Sequence, residues 1–163
     1  MIAGRDAGMR RRNVRRFAVT FPVLADALQD SGVRRLLLAA RLVRFEPGMP
    51  LVHRGQQTDE LFLILEGTVR TSTGADPATE LWTAGAGGVI GMAEFVDPGV
   101  AALMTTATTG CSALVLRHDQ LLALGAAEPH VAQVLLDHVA AELMRARNRL
   151  KTLFSTLRME NLA

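Results

Sequence analysis

The sequence predicts a mainly β domain, a sandwich or jelly roll with flanking helices, that is followed by one long C-terminal helix. Two observations support this fold class. Between residues 42 and 116, short runs rich in apolar and β-branched residues alternate with glycine and proline turns, which is typical of many short strands. After Pro129 the chain contains no further glycine or proline, and apolar residues recur there with helical spacing.

Length and composition favour one soluble domain. The chain has 163 residues, of which 49% are hydrophobic, so it is long enough to bury a core without stabilising disulfides or metal sites. Its longest apolar runs are too short to span a bilayer, and no apolar stretch of a secretory signal follows the basic N-terminus. The single cysteine, Cys111, excludes an internal disulfide framework. We therefore expect a cytoplasmic protein without a membrane partner.

The N-terminus is strongly basic, and residues 1–19 are predicted to form a flexible arm. Six arginines lie in its first sixteen positions: Arg5, Arg10, Arg11, Arg12, Arg15 and Arg16. A block of like charges is most often a solvated tail. The alternative is an arm that contacts a polyanion through Arg10, Arg11, Arg12, Arg15 and Arg16 by counterion release. With Phe17 as its one aromatic, such an arm carries no sequence-reading chemistry.

The elements between the arm and the last helix follow from periodicity and turn residues. Residues 23–40 have helical spacing that is interrupted at Ser31-Gly32, so we expect short helices there. The predicted strands cover residues 42–45, 51–53, 60–65, 68–73, 80–83, 103–109 and 112–116. Glycine and proline separate these strands. Together residues 20–128 form the predicted β-roll.

Residues 129–163 are predicted to be one long helix that begins at Pro129, a residue suited to a first helical turn. Its apolar residues alternate in steps of four and three: Ala132, Leu136, Val139, Leu143, Ala146, Leu150, Leu153 and Leu157. The start of the helix is expected to pack on its own domain through Val131, Val134 and Leu135. About 30 helical residues extend about 45 Å, more than the domain can cover. We therefore expect a two-fold homodimer through Leu136, Val139, Leu143, Ala146, Leu150, Leu153 and Leu157.

The segment from Gly91 to Ala107 has the shape of an anion cradle but lacks the basic residues that bind phosphate. A glycine opens it, Asp97-Pro98-Gly99 forms a turn, and a threonine-rich strand follows. Exposed backbone N–H groups in such a segment suit an anion. However, no arginine or lysine lies between Arg70 and Arg117.

The chain resembles the sensor domain of the cyclic-nucleotide-binding superfamily, in particular the catabolite activator and fumarate–nitrate regulator family. The resemblance covers about residues 20–158 and includes Phe45-Glu46-Pro47-Gly48, His53-Arg54-Gly55-Gln56 and the stretches 60–70 and 85–91. It implies a double-stranded β-helix and a non-enzymatic sensor whose last helix is the dimer spine. In the family a winged helix-turn-helix follows, whereas this sequence ends at Ala163. It is thus a sensor-only protein or a fragment, and no sequence-specific DNA binding is expected from it alone.

The resemblance also implies a degenerate ligand site. Relatives that bind cyclic nucleotides place a glutamate on the ribose hydroxyl and an arginine, followed by a serine or threonine, on the cyclic phosphate. Here those positions are Met92, Ala101 and Ala102. The implied site residues are Gly91, Met92, Ala93, Glu94, Ala101, Ala102, and the base-facing Ala146 and Arg147. A shift of one or two residues would bring Glu94 to the ribose position. We expect little or no usual cyclic AMP binding.

Two functions remain open at this point. Enzymatic readings are weak, because the histidines (His53, His118, His130 and His138) lack the close pair that metal-dependent jelly rolls need, and we expect no metal or cofactor. The first function is a ligand sensor whose pocket takes an apolar ligand or none. The second is an interaction module that docks on a partner protein or polyanion. A ligand-sized pocket with convergent polar groups favours the first; a pocket filled by Met92, Leu103 and Met104 favours the second.

Overall fold

The computed structural model describes residues 2–74 and 79–162, with the side chains of residues 2–7 and 9 left aside. Two helices precede the strands: α1 (Ile2–Thr20) and α2 (Pro22–Ala39). The strands are β1 (Arg41–Phe45), β2 (Pro50–Val52), β3 (Gln57–Thr58), β4 (Glu60–Glu66), β5 (Val69–Ser72), β6 (Glu80–Ala84), β7 (Val89–Ile90), β8 (Gly99–Val100), β9 (Met104–Ala107) and β10 (Cys111–Arg117). The other helices are α3 (Met92–Val96), α4 (His118–Ala127) and α5 (Pro129–Glu160).

The strands form the predicted jelly roll. One four-stranded sheet has the order β1-β10-β4-β7, a second has the order β2-β9-β5-β6, and β3 pairs with β8. All described pairings are antiparallel, with β10 of the first sheet placed between β1 and β4. The fold class predicted from the sequence is therefore confirmed.

Strand β4 lies between two hydrophobic core clusters, and both of its faces are buried. Leu61, Leu63 and Leu65 belong to a core cluster that the helices complete. Phe62 and Ile64 belong to a second cluster inside the roll. Since side chains alternate along a strand, this central strand contributes to both cores, and its sequence is a continuous apolar run instead of an alternating one.

The structure differs from the predicted flexible arm over residues 1–19: residues 2–20 form helix α1. Val14 and Phe17 are buried, and the ring of Phe17 stacks on Phe21 with centroids 5.2 Å apart. Arg16 forms an ion pair with Glu66 at 2.7 Å. The apolar residues between the arginines share one helical face, and their burial anchors the helix. Arg10, Arg11, Arg12 and Arg15 remain exposed, whereas the Arg5 side chain lies outside the described part.

Helix α2 is interrupted at Gln29, two positions before the predicted break at Ser31-Gly32. Gln29 has a φ of 60°, a left-handed conformation that is uncommon for a residue other than glycine. Its side-chain amide donates to the carbonyl of Asp26 at 2.6 Å. Gly32 is buried within the helix, where an added Cβ would lie 3.1 Å from Leu28 and 3.6 Å from Val131. This glycine permits close helix packing and does not end the helix.

Helix α5 has two parts with different surroundings. Val131, Ala132, Leu135 and Val139 are buried in the helical core cluster, while Phe154 and Leu157 near the other end are exposed. The placement of Val139 in the dimer interface is therefore corrected: only 1% of this residue is exposed, because it packs inside its own domain. No helix in the described residues combines the length and apolar character needed to cross a bilayer.

Candidate functional site

A cavity of about 540 Å³ lies between the β-roll and helix α5. The segment 87–94 forms one wall, β5 and β6 contribute Thr71 and Trp82, and Ala102 and Leu103 lie beside them. One face of α5 forms the opposite wall. The volume falls within the range of small-molecule sites. Met92 and Leu103 line the cavity without filling it.

Helix α3 is held against the cavity by three contacts with the core. Gly91, which precedes it, has a φ of 78°, and a Cβ there would lie 2.2 Å from the carbonyl oxygen of Glu60. Only glycine fits this close approach. Phe95 is fully buried, and its carbonyl accepts a hydrogen bond from Nδ1 of His118 at 2.7 Å. The residues Met92, Ala93 and Glu94 are thereby fixed at the cavity wall.

The wall formed by the second sheet carries a buried pair of hydroxyl groups. Thr71 of β5 and Thr105 of β9 both line the cavity, and each is 3% exposed. Their Oγ1 atoms are 2.9 Å apart and form a hydrogen bond. Because each hydroxyl has both a donor and acceptor sites, the pair satisfies itself and retains the capacity to bind a polar ligand atom.

The α5 wall is charged, and sequence reasoning missed most of it. Its lining residues are Glu142, Leu143, Arg145, Ala146 and Arg149. Glu142, Arg145 and Arg149 follow each other at steps of three and four, as do Leu143 and Ala146 at a step of three, so the set covers one broad helical face. Arg145 is paired with Glu142, and the hydrogen bond and charge of Glu142 raise the pKa of this guanidinium. Counted from Ala146, this spacing could have identified Glu142 and Arg149 in the sequence, and counted from Arg149 it leads to Arg145.

Two candidate ligand residues lie outside the cavity. Arg147 follows Ala146 but is exposed and absent from the lining, because its position lies beyond the edge of the helical face that Glu142, Arg145 and Arg149 share. Ala101 is 2% exposed and belongs to the core cluster inside the roll. Its N–H donates to the carbonyl of Gln56 at 2.9 Å, and its own carbonyl accepts from Gly55 at 2.8 Å. Both placements correct the implied site, whereas Gly91, Met92, Ala93, Glu94, Ala102 and Ala146 do line it.

One ionisable group lies just behind the α5 wall. His138, one turn before Glu142, contacts the ring of Phe21 edge-on at 6.1 Å. Its Nε2 atom is buried and has no hydrogen-bond partner among the described residues. Burial lowers the pKa of His138, the carboxylate of Glu142 opposes this, and Arg145 adds to it. The balance of these effects favours the neutral imidazole.

Metal and thiol chemistry find little support at this site. In the described parts of the chain, histidine, cysteine and carboxylate side chains do not gather in groups of three or more that could hold a metal ion. Cys111 is buried on β10. Burial, and then the charge of Glu66, raise the pKa of the Cys111 thiol, which opposes formation of the reactive thiolate.

A family model identifies the class of protein. The model of the cyclic nucleotide-binding domain matches residues 42–128, more than half of the chain. The chain therefore belongs to the cyclic nucleotide-binding domain family. No curated protein matches it by sequence.

Solved structures place this domain beside bacterial regulators. The N-terminal domain of a transcriptional regulator from Streptomyces coelicolor A3(2) is 29% identical with a TM-score of 0.65, over 77% of this chain and 91% of that one. The catabolite activator protein of Thermus thermophilus is 25% identical with a TM-score of 0.66, over 80% of this chain and 62% of that one. A cyclic nucleotide-binding domain from Methylobacillus flagellatus is 23% identical with a TM-score of 0.73, over 78% of this chain and 74% of that one, and shows the fold.

Proposed function

We propose that this chain is a non-enzymatic, ligand-responsive regulatory domain whose cavity no longer takes cyclic AMP in the usual way. The observation that carries the proposal is the open cavity of about 540 Å³, where the cassette positions that line it, Met92 and Ala102, are apolar. The likeness of the chain to the N-terminal domain of a transcriptional regulator supports a regulatory role. An interaction module without a ligand would have no need of an open pocket with convergent polar groups.

Poor binding of cyclic nucleotides follows from the side chains at the β-roll wall. Met92 offers no carboxylate to a ribose hydroxyl, and Ala102 offers no guanidinium or hydroxyl to a phosphate. Ala101 is buried in the roll. Loss of a charge-assisted, often bidentate contact lowers affinity about a hundredfold.

Calorimetric titration with cyclic AMP and cyclic GMP tests this function. We expect no saturable binding below roughly 100 micromolar, which is about a hundredfold weaker than a micromolar site. Ala102→Arg, which adds a guanidinium at the cavity wall, should increase the affinity for cyclic AMP. Ala101→Arg is the matched control: it adds the same group at a buried position, and should lower stability without creating a site. A micromolar dissociation constant for either nucleotide and the wild-type protein would contradict the proposal.

The same proposal includes a homodimer through the second half of α5. Leu150, Leu153 and Leu157 continue the seven-residue repeat, and Leu157 is 51% exposed where the helix has extended past the core residue Val139. A second copy of the helix supplies the same spacing and would cover these leucines. In such a dimer the cavity wall and the interface belong to one helix, so a ligand could alter the interface.

A further inference from the structure

The cavity has an uneven distribution of charge. Among the described lining residues, the ionisable side chains are Glu94, Glu142, Arg145 and Arg149. Both cations belong to α5, whereas the β-roll wall carries Glu94 as its one charged group. The positive end of the site is therefore at the helix, opposite the segment that holds phosphate in relatives that bind cyclic nucleotides.

The two arginines differ in how they are paired. Arg145 is engaged by Glu142, but Arg149 forms no ion pair with any described residue. The two lie one turn apart on the same helical face, where side chains are neighbours and like charges repel. The α5 wall thus carries a surplus positive charge at Arg149. Charge of one sign in a concave site raises the local concentration of oppositely charged ligands.

The rest of the cavity restricts the ligand in two further ways. Val52, Met92, Trp82 and Leu103 offer apolar surface, which suits an apolar body. Glu94 repels an anionic group at the β-roll wall, so it favours placing that group at α5. The hydroxyls of Thr71 and Thr105 lie on the wall between and bind neutral polar atoms.

We propose that the cavity takes a small organic anion, with an acidic group bound by Arg149 and an apolar body that contacts Met92 and Leu103. The acidic group is a carboxylate, sulfonate or phosphate, all of which a guanidinium binds through two parallel hydrogen bonds. This inference rests on the proposed function in treating the cavity as a ligand site. A ligand held in this way joins the β-roll to α5 and so restrains the helix that the dimer would use.

Two fluorescent probes that differ by one acidic group test the inference. Anilinonaphthalene sulfonate has an apolar ring system and a sulfonate; N-phenylnaphthylamine has the same rings without the sulfonate. We expect one sulfonate probe to bind per chain, about tenfold more tightly than the neutral probe. Arg149→Gln should lower the affinity for the sulfonate probe about tenfold and leave the affinity for the neutral probe unchanged. Higher ionic strength should weaken the sulfonate probe selectively.

Two control variants show where the probe binds. Arg147→Gln removes an equal charge from the same helix, two residues away and outside the cavity, and should change neither dissociation constant. Ala102→Phe narrows the cavity and should weaken both probes. Equal affinities for the two probes, no binding of the sulfonate probe, or equal effects of Arg149→Gln and Arg147→Gln would each overturn the inference.

Competition with cyclic AMP separates this inference from the proposed function. We expect cyclic AMP at about 100 micromolar to leave the bound sulfonate probe in place. If micromolar cyclic AMP displaces the sulfonate probe, and Arg149→Gln abolishes this displacement, the proposed function is contradicted but the anion site at α5 is retained. In the other case, cyclic AMP binds tightly to the wild type and to Arg149→Gln alike. If the affinity for the sulfonate probe is also the same in both proteins, the proposed function and this inference are both contradicted.

Discussion

Ala101 and Ala102 are neighbours in the chain but have different surroundings. Ala101 lies in the core of the roll, whereas Ala102 lines the cavity. Both lie in the connection between β8 and β9, outside a strand, so no periodic pattern in the sequence shows which of the two side chains faces the cavity. The residue types at the cassette positions are readable from the sequence; which of these positions lines the cavity is not.

His138 links the pH of the solution to the stability of the fold. Burial lowers its pKa below the ordinary value of 6.5, so below pH 6.5 the unfolded chain binds a proton more readily than the native one. The contribution of neutral His138 to the free energy of unfolding is therefore fully present above pH 6.5 and is lost as the pH falls from 6.5 towards the native pKa. We expect the urea midpoint to fall between pH 7.5 and pH 5, and to fall less in His138→Leu.

Exposed His130 gives the control for this prediction. His130→Gln removes a histidine from the same helix at a solvated position and should retain the pH dependence of the wild type. If His138→Leu and the wild type lost stability in parallel as the pH falls, burial of His138 would not be the cause.

At the scale of elements, α5 and α1 show what periodicity can and cannot predict. The apolar repeat predicted a helix from Pro129, and α5 runs from Pro129 to Glu160. The repeat did not show that Val139 packs inside its own domain, since a partner helix and a domain core require the same spacing. In α1 the arginine block suggested a flexible arm, but Val14 and Phe17 were sufficient to anchor a helix. Charge density is a weaker predictor than the spacing of a few apolar residues.

Sedimentation of seam variants tests the proposed dimer. We expect the wild-type protein to be a dimer at micromolar concentration and Leu157→Glu, combined with Leu150→Glu, to be a monomer. The substitutions would bury like carboxylates beside each other across the two-fold axis, at a cost that exceeds the stability of a short coil. Ser155→Glu with Lys151→Glu introduces the same groups at exposed positions off the repeat and should retain the dimer. A monomeric wild type, or an unchanged dimer in the seam variant, would exclude this interface.

At the scale of the whole molecule, turn residues and short apolar runs predicted the jelly roll, but they did not predict the shortest strands. β3, β7 and β8 each have two residues, too few for a periodic pattern, and their pairing partners are distant in sequence. The candidate site shows the same division. The cassette is local, so its position in the sequence could be predicted, whereas Arg145 and Arg149 belong to the distant helix α5 and required helical spacing from Ala146 to be found.

Under the proposed function, the placement of the cavity would couple ligand binding to helix α5. Its walls belong to the β-roll on one side and to α5 on the other, so a bound ligand contacts both. A ligand shifts an equilibrium only by its difference in affinity for two states. An anion held by Arg149, as proposed, would favour the arrangement in which α5 lies against the roll and would thereby couple binding to the position of the helix.

Methyl NMR of the methionines tests the central claim most directly, because Met92 is the methionine that lines the cavity in the described residues. The Met92 signal is assigned by Met92→Leu. We expect anilinonaphthalene sulfonate to shift it saturably, with much smaller changes at the exposed Met159 of α5, and cyclic AMP at the same concentration to leave it unchanged. A saturable shift of the Met92 methyl with micromolar cyclic AMP, or no shift with the sulfonate probe, would contradict the account.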